Sequence, residues 1–139
     1  MWPFNSSSMD IGQAEKTLSP FIVTALSKLD EEDVRIVGNV RMLAECYIYG
    51  AIRYMATYDE MRPASTDVLI RHLLSKHFKA DNIEVDNCLK FCSGIKDGKK
   101  EKLFMMEGAG ALRRWLVNND KSVANELKDL MIASSISVA

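Results

Sequence analysis

Apolar residues recur along this chain at spacings of three and four, and the element they predict throughout is the helix. The earliest stripe is Leu18, Ile22, Leu26 and Leu29, with Phe21 and Ala25 beside it. Ser19-Pro20 reads as the start of that helix, a hydroxyl cap followed by a proline whose fixed φ suits the first helical position. The alternative is a start one turn earlier, near Ala14, with a kink at the proline. Asp30 to Asp33 then read as a cap and an acidic first turn, where the helix dipole favours negative charge.

The next helix is expected to run from about residue 31 to 58, or roughly 42 Å at 1.5 Å per residue. Val37, Val40, Ala44, Tyr47, Ala51, Tyr54 and Tyr58 mark one face, and Ile36, Leu43, Ile48, Ile52 and Met55 widen it far beyond a stripe. A helix apolar nearly all round belongs in the middle of a bundle. Gly38, Ala44, Gly50 and Ala51 would let its neighbours approach closely.

Ser65 or Thr66 is the expected cap of a third helix with the stripe Ile70, Leu73, Leu74, His77. Lys79-Ala80-Asp81 is a short turn, and Asp81 or Asn82 caps a fourth helix carrying Val85, Cys88, Leu89 and Cys92. Gly94 offers that helix a left-handed end. A fifth helix is expected over about 100–117. It contains Gly108 and Gly110, which cost about 1 kcal/mol each relative to alanine. Either the helix breaks there or another backbone crosses at short distance. A last helix carries Val123, Leu127, Leu130 and Met131. No sustained alternation of period two occurs, so no strand is expected.

The fold expected is all-α: a compact bundle of five to six helices around the long central helix at about 31–58. Residues 1–139 read as one domain, with 1–13 and 134–139 as flexible termini. Trp2 and Phe4, beside the run Ser6-Ser7-Ser8, read either as part of a frayed end or as a short anchor.

Composition adds limits. The 139 residues hold 47% hydrophobic and 27% charged residues with a net charge of −1, the profile of an ordinary globular domain and not of a strongly basic nucleic-acid binder. No apolar run reaches the roughly 18 residues of a membrane-crossing helix. The N-terminus lacks a basic stretch followed by an apolar one, so a cytoplasmic location is expected. Three cysteines are an odd number and fit a reducing compartment.

Candidate chemistry is sparse. His77, Cys88 and Cys92 are the candidate metal ligands, since the two cysteines lie one helical turn apart. His72 is five residues from His77, on a different side of the helix, and nothing in the spacing places Cys46 near the rest. Tyr47, Tyr54 and Tyr58 are the candidate lining of a ligand pocket, because tyrosine joins an apolar body to a polar tip. Arg41 and Glu45, four apart, are expected to form an ordinary pair on the helix surface. No nucleophile elbow, phosphate loop or His-Glu-x-x-His motif occurs, so no catalytic residue is assigned and no cofactor is expected. The third and fourth helices have the outline of a helix-turn-helix. Its reading face would carry Glu84 and Asp86, which repel phosphate, so nucleic acid is not the favoured partner.

The distribution of charge is the most informative feature. Residues 1–61 hold five Lys+Arg against nine Asp+Glu, whereas residues 62–121 hold twelve against eight. Lys96, Lys99, Lys100 and Lys102 cluster about one turn, with Arg113 and Arg114 further on. The expectation is a non-enzymatic protein that binds a protein partner through this basic face, in an inhibitor, adaptor or immunity-type role. The oppositely charged halves are also compatible with a homodimer. A metal- or small-ligand-binding bundle is the first alternative, and a nucleic-acid-associated regulator the second.

Overall fold

The computed structural model describes residues 10–134 and 136. Trp2 and Phe4 lie outside the described residues. The described chain is all-helical, with seven α-helices. They are α1 (Ile11–Leu26), α2 (Glu31–Arg35), α3 (Asn39–Tyr58), α4 (Pro63–Phe78), α5 (Asn82–Ser93), α6 (Lys100–Val117) and α7 (Glu126–Ala133), with a 3-10 turn at Lys121–Asn125.

Local signals set most of these boundaries. Asp30 caps α2 by accepting from the Glu32 amide at 2.9 Å. Asp81 and Glu84 form a reciprocal capping box at the start of α5. Pro63 is the first residue of α4, a position that needs no amide donor. That start precedes the expected caps: Thr66 lies inside the helix, its hydroxyl donating to the Arg62 carbonyl at 3.0 Å. The first helix also begins earlier than either expectation. Asp10 caps it through the Gln13 amide at 2.7 Å, the helix runs through Pro20, and the Ser19 hydroxyl is buried without a hydrogen-bond partner among the described residues. Residues 11–13 are therefore helical, and at the other end Ile136 packs against the core. Gly94 ends α5 at φ −103°, outside the left-handed region, while Lys79 ends α4 at φ 57°, inside it.

The expected helix over 31–58 is two helices. Ile36 and Val37 are β-branched and Gly38 carries maximal backbone entropy, so three poor helix formers stand in a row. The chain extends there, with ψ 132° at Ile36 and φ 173° at Gly38. The Arg41 guanidinium donates to the Arg35 carbonyl at 2.6 Å and so satisfies an acceptor that the break leaves open. Gly38 thus serves as the cap of α3 and not as a site of close helix approach.

The remaining part, α3, is the central element. Every residue from Leu43 to Ile52 except Glu45 is buried. Each fully buried Leu, Ile or Phe in or around it, such as Ile48, Phe78 and Phe104, contributes roughly 1.5–3 kcal/mol. The tightest contact is with α6. A Cβ on Gly50 would overlap the Met105 carbonyl, and one on Gly108 would overlap the Tyr47 carbonyl. Residues 47 and 50 thus face 108 and 105, so the two helices run antiparallel. Each glycine turns a Cα hydrogen toward the opposing carbonyl, the geometry of a weak Cα–H···O bond. Helix α6 spans 100–117 as the sequence predicts, and the crossing explains its glycine: the helix continues because the neighbouring backbone needs the space. Around this pair, α1 packs against α4, and α5 lies against both α3 and α4.

The crossing predicts a reversal of the usual rule for glycine in helices. Gly50→Ala and Gly108→Ala are each expected to cost about 3 kcal/mol, since no side-chain rotation relieves a clash with backbone. Gly110→Ala, whose Cβ would meet nothing closer than the Arg114 guanidinium at 3.6 Å, is expected to gain about 0.5–1 kcal/mol. Urea unfolding followed by circular dichroism measures all three.

Candidate functional site

The candidate metal ligands do not assemble as expected. Cys88 and Cys92 lie on α5, with their sulfurs 4.0 Å apart. The Cys92 thiol reaches across to Cys46 on α3 at 3.9 Å. The three thiols therefore form a chain of contacts, with Cys92 in the middle. Cys46 and Cys92 are buried and Cys88 is half-buried. Hydrogen bonds to Cys46 and Cys88, together with burial, hold the Cys92 thiol far above its ordinary range, so it stays protonated. His77 is not with them. The charges acting on it are Lys76, Glu15 and His72, on α1 and α4, and burial lowers its pKa below the usual histidine value. His72 makes a separate contact, 2.8 Å from the Glu15 carboxylate, which also accepts from Lys76 at 3.1 Å. Among the described residues, no group of three or more His, Cys, Asp or Glu side chains is arranged to hold a metal ion.

Arg41 is the principal polar group near the thiols. It is only 4% exposed, so it is not half of a surface pair as its spacing from Glu45 suggests. Its Nε donates to Glu45 at 3.3 Å, one terminal nitrogen to Glu84 at 3.3 Å, and the other to the Arg35 carbonyl. One guanidinium thereby ties α2, α3 and α5 together. Burial pushes the Glu45 carboxyl above its ordinary value, and the Arg41 charge opposes that push. Beside this knot lies a groove of about 400 Å³ between α3 and α5, walled by Val37, Met42, Cys46, Cys88 and Phe91. Composition did not point to the groove, because its walls come from residues some 50 positions apart.

The three tyrosines of the row sit at different depths. Tyr47 is inaccessible to solvent and stacks on Phe21, with ring centroids 6.3 Å apart and an interplanar angle of 7°. Burial raises its hydroxyl far above the usual phenol range, and that hydroxyl has no hydrogen-bond partner among the described residues. Tyr54 and Tyr58 pack on each other further along the helix, with centroids 6.0 Å apart. Tyr47 thus belongs to the core, Tyr54 is half-buried and Tyr58 is 51% exposed.

The basic residues divide. Arg114 is committed to an ion pair with Glu126. Lys100 approaches the Ser134 carbonyl at 3.4 Å. Lys96 is exposed in the α5–α6 turn, Lys99 is exposed as the cap of α6, and Lys102 is half-buried in its first turn. Arg113 is exposed and shares a side of α6 with Lys99, since fourteen residues are close to four helical turns. Between them on that side lie Leu103, 43% exposed, Met106, 63% exposed, and Gly110. The opposite side of α6, with Phe104, Gly108, Ala111 and Leu112, is buried. Helix α6 therefore shows solvent an apolar centre with a cation at each end. The charges are legible in composition alone, whereas Leu103 emerges only from its spacing of four from Lys99.

Comparison with protein-family models, with curated proteins and with solved structures gives no match. No helix of the described residues is long and apolar enough to cross a membrane.

Two outcomes follow. Arg41→Ala leaves Glu45 buried without its partner and is expected to cost about 3 kcal/mol or more, measured by urea unfolding. In the folded protein, Cys88 is expected to react first with an aromatic disulfide reagent, while Cys46 and Cys92 react only on unfolding. Cys88→Ser should remove the fast phase of that colour change.

Proposed function

We propose that this chain is a non-enzymatic binding protein that engages a protein partner through the outer face of α6. The observation that carries the reading is the row Lys99, Leu103, Met106, Gly110, Arg113 on the solvent side of that helix. Exposed large apolar residues grouped on one helix face, with cations at the rim, have the composition of an interface. Methionine suits such a face because its unbranched chain adapts to the surface it meets. The cations add association speed and selectivity for an acidic partner. An inhibitor, adaptor or immunity-type role fits a small helical protein of this kind. A reducing, cytoplasmic setting suits three adjacent thiols that remain unpaired.

The groove between α3 and α5 supports the small-ligand alternative. A mass increment retained by the purified chain in native mass spectrometry would put it ahead.

The test compares baits. The full chain, Lys99→Glu/Lys100→Glu and Met106→Glu are immobilised and exposed to an extract of the source cells. A protein retained by the unaltered chain is expected to be lost, at least tenfold, from both variants, while far-UV circular dichroism stays unchanged. Equal retention by all three baits at low salt would sink the reading.

A further inference from the structure

The face on α6 does not end at Lys99. Four hollows share walls in sequence across the surface. The first, between α2 and the start of α3, is walled by Glu32, Asp33, Ile36 and Val37. Val37 also walls the groove between α3 and α5, whose far side is Phe91. Phe91 in turn walls a hollow at the α5–α6 turn, with Ile95, Lys96 and Lys99. Lys99 continues into the last, with Lys100, Leu103 and Met106. The belt is acidic at one end, where Glu31 and Glu32 are exposed and Arg35 pairs with Glu32. At the other end Lys96, Lys99, Lys100 and Lys102 outnumber Asp97 and Glu101, and in the middle Val37, Met42, Cys88 and Phe91 form an apolar stretch beside the Arg41 cluster. Val37, at 71% exposure, and Phe91, at 42%, are uncovered side chains of that middle.

A belt ordered acidic, apolar, basic has a particular symmetry. Turned half a revolution about an axis through its centre, it becomes its own complement: each acidic end meets a basic end, and the apolar middles meet each other. An unrelated partner would have to carry the reverse order by separate design. A second copy of this chain carries it by construction, and two-fold closure leaves no unpaired surface to propagate. We propose that the chain forms a two-fold dimer through this belt, with the α2 end of each copy on the α6 end of the other and Phe91 near the axis. This proposal rests on reading α6 as a binding face and names the partner as a second copy.

The test is analytical ultracentrifugation of the untagged full chain over a range of concentrations at low and high salt. A dimer is expected that loosens as salt rises, because the end contacts are between exposed charges. Lys99→Glu/Lys100→Glu makes both ends acidic, and Glu31→Lys/Glu32→Lys makes both ends basic. Each variant alone is expected to lose self-affinity at least tenfold, with helicity unchanged. Their equimolar mixture is expected to recover the dimer mass, because an all-acidic belt complements an all-basic one. A monomer at every concentration and salt overturns the dimer, and leaves the α6 reading standing if the bait comparison still finds an α6-dependent partner. A dimer indifferent to both reversals, or a mixture that stays monomeric, also overturns the belt. A failed bait comparison beside a successful charge swap overturns only the foreign partner.

Discussion

The rest of the molecule depends on two backbones passing within the space of a hydrogen atom. At Gly50 and Gly108 the α3–α6 crossing admits no side chain, so neither helix can rotate or slide without a carbonyl meeting a Cβ. That fixes which side of α6 is inside. Phe104, Ala111 and Leu112 follow Gly108 into the core, and the side bearing Leu103 and Met106 has nowhere to go but outward. The exposure of those two apolar residues is thus a consequence of the closest packing in the fold. Their rigid support also lowers the conformational cost of using them as a surface.

Arg41 is the second fixed point, and it acts by a different force. A buried guanidinium is tolerated only when its donors are used, and Arg41 uses its donors on three elements at once. It holds the end of α2, pairs with Glu45 on its own helix and reaches Glu84 at the start of α5. Glu84 serves twice, since it also accepts from the Asp81 amide at 2.9 Å in the capping box. The start of α5 and the bend before α3 are therefore positioned by one ionic cluster, and the groove between them inherits its shape from it. Apolar packing sets the centre of the bundle, whereas polar satisfaction sets this edge.

The helices most readable in the sequence were those whose signals are local. The extent of α6 and the cap at Asp81 follow from residues within a turn of each boundary. The apolar residues spread nearly all round α3 announced a central helix for the same reason. The break before Asn39 was hidden because Ile36 and Val37 continue the helical apolar period, and the bond that stabilises the break comes from a side chain six residues on. Pro20 misled in the opposite way: it resembles a helix start, yet the cap is Asp10 and the helix tolerates the lost donor. The thiol contacts were beyond local reading altogether. Cys46 and Cys92 are 46 positions apart, and only the packing of α5 on α3 brings them together.

The partners in the crossing are far apart along the chain. Helix α3 ends at Tyr58 and α6 begins at Lys100, so the closest contact in the molecule also closes a long loop. During synthesis, α1 to α5 emerge while the flat strip around Gly50 and Ala51 still lacks its cover. At Gly50 that strip has room only for a backbone, the one that α6 supplies at Met105. The nascent chain completes its centre only after Gly108 has left the ribosome, because the cover of Gly50 belongs to α6.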